Sequence, residues 1–329
     1  MRAMIVEELG KPLRLALRPV PEPGACHVRI RVAAAAVNFA DTLLVQGRYQ
    51  EKPALPFAPG LEVAGVVDAV GVGVRGITPG QRVLAILDHG GFAEFALARM
   101  EDVVPIPEAM GFDVAAGFAV AYGSAHGGLA WRGALARGET LLVHGAAGGV
   151  GLTAVEVGKA MGAQVIATAR GREKLEIARA HGADHVLDSE REDLREAIRA
   201  LAPDGVDVVF DPVGGRLFDI ALRAIAWEGR IVIVGFAGGQ VPQIPANLLL
   251  VKNAAAVGLF WGSYRRHDPE RLVESLETLL GWWQDGLLKP HVSHRLPLEQ
   301  ANEALDLLRS RSSTGKVVLT IGGTATTQG

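Results

Sequence analysis

The hydrophobic pattern of this chain changes character along its length. Residues 27–32 alternate strictly, with Val28, Ile30 and Val32 on one face and His27, Arg29 and Arg31 on the other, the period of a half-buried strand. Residues 63–70 are almost wholly apolar and predict a strand covered on both sides. A Pro79-Gly80 turn precedes a strand at 82–87, and 92–97 alternate again. Between residues 105 and 115 the pattern reads as helix. From about 121 to 258 strands and helices take turns. Strands are expected at 140–145, 164–168, 185–187, 207–210, 230–234 and 254–259, with helices at 150–161, 172–180 and 216–225. Beyond them, helices at 269–284 and 298–308 flank a short extended piece, and 316–321 closes as a strand. The fold class is therefore α/β: a β-rich first lobe and an inserted doubly wound domain, with the tail returning to the first lobe.

One strand–helix junction carries chemistry. Leu141-Leu142-Val143-His144-Gly145-Ala146-Ala147-Gly148-Gly149-Val150-Gly151 runs an apolar strand into glycines and then into an amphipathic helix. Glycines let the backbone approach a pyrophosphate, and the helix N-terminus attracts the anion. Ala146 takes the first glycine position of the usual fingerprint, followed by Gly148 and Gly151. Ala146, Ala147, Gly148, Gly149 and Val150 are thus the candidates to face the phosphates. A plain tight turn would use the same residue types, but the β-α-β-α-β context favours a dinucleotide.

The second strand of that unit ends Ala167-Thr168-Ala169-Arg170-Gly171-Arg172-Glu173-Lys174. An NAD site places an acid at this strand end, for the ribose 2′-hydroxyl. Here no acid ends the strand and three cations follow. Arg170, Arg172 and Lys174 suit a 2′-phosphate, with Thr168 beside them, so the expected cofactor is NADPH. A solvated helix start would also carry such charges.

Composition narrows the class. At 329 residues, with 49% hydrophobic and 21% charged, the chain reads as a globular enzyme of two lobes. A net charge of −3 gives no reason to expect nucleic acid or an acidic membrane. No apolar run approaches the ~20 residues of a membrane span. The acidic Glu7 and Glu8 do not fit a signal peptide. A single cysteine, Cys26, excludes an internal disulfide and fits a reducing cytoplasm. Residues 322–329 read as a loose tail.

Several motifs together resemble the medium-chain dehydrogenase/reductase superfamily, and within it the zinc-independent, NADPH-dependent quinone oxidoreductases of the zeta-crystallin type. They are Val37-Asn38-Phe39-Ala40-Asp41, Pro59-Gly60-Leu61-Glu62-Val63-Ala64-Gly65, the glycine loop, Phe210-Asp211-Pro212-Val213-Gly214-Gly215 and Thr314-Gly315-Lys316-Val317-Val318. The resemblance implies a GroES-like catalytic domain from 1–120 and 259–329 and a Rossmann NADPH-binding domain from 121–258. One departure stands out: Glu156 replaces the glutamine of the family signature.

Zinc-dependent cousins hold a catalytic metal with a Cys, a His and an acid. This chain has Asn38-Phe39-Ala40-Asp41 where the Cys would be and Leu61 where the His would be, and only Glu62 survives. His291 and His294 lie three apart in an extended segment with no third ligand. No metal is expected, which favours an already electrophilic acceptor, a quinone or an α,β-unsaturated carbonyl.

By resemblance, Asn38 lies beside the nicotinamide ribose and the substrate; as the residue opening a helix it also suits an N-cap, and the two roles are compatible. Asp41 suits capping or orientation. Tyr49 matches a substrate-side tyrosine of some relatives and is a candidate donor to the carbonyl, or a loop aromatic; a second tyrosine of theirs is Leu43 here. Ser124, in Tyr122-Gly123-Ser124-Ala125-His126, takes the place of a hydroxyl near the nicotinamide, and His126 reads as a helix residue. Gly235 and Phe236, with Phe260 and Trp261, follow the fifth and sixth strands and are expected around the nicotinamide. Lys316 corresponds to a C-terminal lysine reaching the cofactor, or is a plain surface lysine. Trp282-Trp283 reads as packing. The expected partners are a small quinone or enone and a second copy of the chain, because strand 254–259 is an apolar edge without lysine or proline. Two other functions remain open: an enoyl-thioester reductase, with Arg265-Arg266-His267 as its basic patch, and a non-catalytic NADPH-binding, crystallin-like protein.

Overall fold

The computed structural model describes residues 1–322, so all of the expected tail except Gly322 lies outside the described residues. The chain divides into two compact units, Met1–Val120 with His291–Gly329, and Ala121–Pro290.

The first unit is built on a seven-stranded sheet. Its axis is the 11-residue strand His27–Val37, which pairs antiparallel with Glu62–Val70, with Lys316–Thr320 and, over its first half, with Phe95–Arg99. Arg82–Ile86 and Val103–Pro105 extend one side; Val292–Pro297 runs parallel to Lys316–Thr320 on the other. The alternation read at 27–32 puts Val28, Ile30 and Val32 into the core with Val63, Val83 and Leu319. The helix Ala301–Arg309 covers this core through Ala301, Ala304 and Leu305.

The second unit holds a six-stranded parallel sheet. Its spatial order is His185–Asp188, Gln164–Ala169, Thr140–Val143, Val206–Asp211, Ile225–Ile233 and Ala255–Gly258. In chain order this is 3-2-1-4-5-6, the doubly wound topology, and the direction of winding reverses between Thr140–Val143 and Val206–Asp211. Ligands of such sheets bind beyond the carboxyl ends of the strands at that reversal. The long crossovers that parallel strands require are the helices Gly149–Ala160, Arg172–Ala180, Leu194–Leu201, Gly215–Ala224 and Ala246–Lys252.

Three expectations are corrected. The helix read at 105–115 is confined to Phe112–Ala116, because Val104 and Pro105 are already paired with Leu84 and Val83. The last strand–helix–strand segment starts early: Ile225, read as the end of a helix, opens the strand Ile225–Ile233. The second unit also extends to Pro290 rather than stopping at 258. The helix Pro269–Gln284 stays with it because Ser275 Oγ meets His126 Nδ1 at 2.7 Å, Trp282 meets the same imidazole edge-on, and Arg271 lies 4.7 Å over the Trp131 ring.

Candidate active site

In the first unit, a buried polar cluster forms where His27–Val37 ends and the helix Phe39–Leu44 begins. Asn38 is the N-cap residue, with extended backbone. Asp41 reaches back, its Oδ2 accepting the Asn38 N–H at 2.8 Å and its Oδ1 the Gly60 N–H at 3.0 Å. The Asn38 side chain turns to two other groups. Its Nδ2 donates to Glu62 Oε1 at 3.0 Å, and its Oδ1 accepts from Lys316 Nζ at 2.6 Å. Lys316 also donates to Glu62 Oε1 at 3.0 Å, while Glu62 Oε2 accepts the Val120 N–H at 2.9 Å. Lys316 lies along Gly117, where a Cβ would come within 3.1 Å of the lysine chain. Asn38, Asp41, Glu62 and Lys316 are all buried.

Burial pushes the Asp41 carboxyl up to about 7, against its two backbone N–H bonds and the charge of Lys316, which act in the other direction. Tyr49 packs against the hydrophobic core of this unit. Burial, with the negative charges of Asp41 and Glu51, pushes its phenol up to about 12, so it stays protonated at neutral pH.

In the second unit, the glycine loop follows Thr140–Val143 and ends at Gly148, the N-cap of Gly149–Ala160. Ala146 and Ala147 are buried; Gly148 is exposed, with Gly149 and Val150 half-buried beside it. The Ala146 N–H goes to Thr168 O and the Gly148 N–H to Gly145 O. A Cβ at Gly151 would lie 2.2 Å from Gly145 O, so only glycine permits this close return of the loop on the helix. The N–H groups of the first helical turn have no intrahelical acceptor, and a 12-residue helix stands behind them. That cradle suits a pyrophosphate.

Thr168 departs from expectation. It is fully buried and its hydroxyl lies 2.8 Å from His144 Nδ1. His144 Nε2 donates to Leu217 O at 3.1 Å, leaving Nδ1 to accept from Thr168. Burial lowers the His144 pKa, and this pair ties the first two strands together beneath the loop. Arg170 and Arg172 are exposed and Lys174 half-buried at the start of Arg172–Ala180, with Arg170 Nη1 3.5 Å from Glu190. Asp188 closes this corner, accepting the Gly171 N–H at 3.2 Å. A further cation missed in the sequence, Arg216, donates to the carbonyls of Ser189 and Arg191. It is separated from the other three by more than 40 positions, so only folding reveals it.

The remaining candidates also follow strand ends. Asp211 Oδ1 accepts from the N–H groups of Val213 and Gly214, while its Oδ2 is buried without a partner. Gly235 and Phe236 lead into a turn held by Ala237 N–H to Pro212 O and Gly238 N–H to Val213 O. Phe260 is partly exposed and Trp261 buried, its ring over Gly123, where a Cβ would lie 2.3 Å away. Ser124, one residue on, is buried in the helix Ala119–His126.

Comparison with known proteins accounts for both units. Residues 24–108 match the alcohol dehydrogenase GroES-like domain and residues 149–278 the zinc-binding dehydrogenase model. The quinone oxidoreductase-like protein 2 homolog of Nematostella vectensis is 42% identical over 323 residues, covering 97% of this chain and 88% of that protein. This chain belongs to the quinone oxidoreductase family of the medium-chain dehydrogenases/reductases. Two solved members are similar throughout. The Escherichia coli quinone oxidoreductase complexed with NADPH is 28% identical with a TM-score of 0.91, over 97% of this chain and 100% of the other. The quinone oxidoreductase of Thermus thermophilus, also solved as its complex with NADPH, is 33% identical with a TM-score of 0.86, over 98% and 100%.

The second domain model bears zinc in its description, and the residues present do not fit that ion. Among the described residues no three His, Cys, Asp or Glu side chains come together as a ligand set. The family's acid, Glu62, has both oxygens engaged, by Asn38 and Lys316 on one side and Val120 on the other. His291 and His294 bond to Thr314 and Ser293.

Proposed function

We propose that this protein is an NADPH-dependent reductase of quinones or α,β-unsaturated carbonyls. The observation that carries this reading is the glycine cradle on the 3-2-1-4-5-6 sheet followed by a strand end bearing Arg170, Arg172 and Lys174 but no acid. Its likeness to quinone oxidoreductases solved with NADPH supports the same assignment.

When bound, NADPH would supply the hydride that the electrophilic carbon of the acceptor takes up. The chain's own groups bind and orient. The Ala147, Gly149 and Val150 N–H groups would hold the pyrophosphate, on a loop shaped by the internal bonds of the Ala146 and Gly148 N–H groups, and the three cations would hold the 2′-phosphate. Gly235, Phe236, Phe260, Trp261 and Ser124 would hold the nicotinamide. Asn38 donates from Nδ2 to the acceptor oxygen as negative charge grows there. Tyr49, protonated at neutral pH, serves as a second donor and not as a base. Solvent completes the protonation.

The working form is a homodimer. Ala255–Gly258 is the outer strand of the parallel sheet, and the same unit exposes the apolar Trp227, Leu250, Val251 and Phe260. A reducing cytoplasm suits Cys26, a free and exposed thiol, and among the described residues no helix is long and apolar enough to cross a membrane. The enoyl-thioester alternative loses part of its basic patch, because Arg265 is buried. No observation favours a redox-silent binder.

NADPH oxidation by the pure protein, screened across quinones, enones and enoyl-thioesters, tests the reading. Turnover with a quinone or enone is expected. NADPH binding without turnover on any acceptor would overturn it.

A further inference from the structure

We propose that Lys316 is a positioning residue, whose ammonium locks and polarises the Asn38 amide so that one Nδ2–H is presented to the acceptor oxygen. This rests on the reductase reading above. The argument begins with what each side chain can do. An ammonium only donates and a carboxylate only accepts, whereas an amide has one accepting oxygen and two N–H groups. Lys316 Nζ at 2.6 Å must therefore face Asn38 Oδ1, and Glu62 Oε1 at 3.0 Å must face Nδ2. Only one rotamer of the amide satisfies both. Its second N–H then has no partner within the cluster.

A mobile surface lysine would not have this effect. The Lys316 side chain is 9% exposed and that of Glu62 1%, so their pair acts in a medium that screens poorly. The lysine is held by Glu62 at 3.0 Å and its stem by contact with Gly117, which leaves it little freedom to leave Asn38. Withdrawal of electron density at Oδ1 makes the remaining Nδ2–H a stronger donor, as in any chain of hydrogen bonds. Remove the cation, and Oδ1 loses its charged donor: Glu62 still draws one Nδ2–H, but the amide is no longer polarised or pinned from its other end. With the carboxylate removed as well, the amide can flip and turn an acceptor toward a developing oxyanion.

The consequence is selective. Reduction of an enone places charge on a more basic oxygen than reduction of a quinone, so a lost donor harms the enone more. The test compares the intact protein, Lys316→Met/Glu62→Gln, Lys316→Arg and Asn38→Ala on cyclohex-2-en-1-one and 1,4-naphthoquinone, with NADPH affinity read by fluorescence titration. Removing both charges together avoids leaving either buried and unpaired. In the double variant, kcat for the enone should fall at least about tenfold and that for the quinone less than about threefold, with KM and NADPH Kd within about twofold. Lys316→Arg, which keeps a cationic donor, should recover most of the enone rate. Asn38→Ala leaves the Lys316–Glu62 bond in place and must show the same enone-selective loss, even if the double variant fails to fold. Equal losses on both acceptors, or a loss confined to NADPH affinity, would overturn the role of Lys316. An intact protein that reduces neither acceptor would instead overturn the reductase reading itself.

Discussion

The Tyr122 hydroxyl donates to Glu156 Oε2 at 2.5 Å, and the Lys289 N–H donates to the same oxygen at 3.1 Å. These two donors stand next to the two ends of the inserted unit 121–290. One buried carboxylate on the dinucleotide helix therefore ties both ends of the insertion together. Its other oxygen lies 2.5 Å from His181 Nδ1. Glu156, standing where the resemblance implies a glutamine, is thus a structural junction within the second unit. Burial and the adjacent carboxylate raise the Tyr122 pKa, which keeps the phenol a donor.

Glu156→Gln should lower unfolding stability by about 1–3 kcal/mol, because an amide accepts through one oxygen only and must turn its NH2 toward a former donor. Urea unfolding of the variant beside the unaltered protein measures the loss. A urea midpoint equal to that of the unaltered protein would remove Glu156 from this role.

The cations after the second strand should set cofactor preference. Replacing Arg170, Arg172 and Lys174 together with Ala should weaken NADPH more than tenfold, at least ~2 kcal/mol, while NADH affinity barely changes. Titration with both cofactors gives the answer. Equal weakening of both would mean that these side chains serve folding or general charge.

Asp41 should give the protein a stability that declines with pH. Its carboxyl titrates near 7 when folded and near 3.8 in the ordinary case, so the folded state holds the extra proton between these values. Its contribution is fully present below about pH 4, is lost as pH rises through about 7, and changes no further above that. The range corresponds to a loss on the order of 4 kcal/mol. Asp41→Asn should flatten this part of the profile in urea unfolding across pH 4–8, at the cost of one backbone hydrogen bond. A profile of equal slope in both proteins would place the titration elsewhere.

The outer strand should carry the dimer. Val257 lies in Ala255–Gly258 opposite Val232, and Val257→Pro removes a backbone N–H from a short edge. Sedimentation should show a dimer for the unaltered protein at micromolar concentration and monomer or precipitate for the variant. A monomer before substitution would refute the pairing of edges.

Periodicity and glycine placement are local properties, and they determined most of the architecture. Alternation at 27–32 and the strand–glycine–helix run at 141–151 depend on neighbours within a few residues, so the two lobes, the phosphate cradle and the family were legible before folding. Ranges next to prolines and long-range pairings were not. Residues 105–115 read as helix until Val104 and Pro105 found partners in Arg82–Ile86. The helix Pro269–Gln284 was assigned to the first lobe until His126 and Trp131 claimed it. Thr168 reads as a cofactor-binding residue beside the 2′-phosphate cations, but its hydroxyl is held by His144, just past the preceding strand. Lys316 is 278 positions from Asn38, and no local pattern encodes their 2.6 Å bond. A side chain's hydrogen-bond partners are chosen by what the folded sheet brings within about 3 Å, and the linear sequence holds no record of that distance.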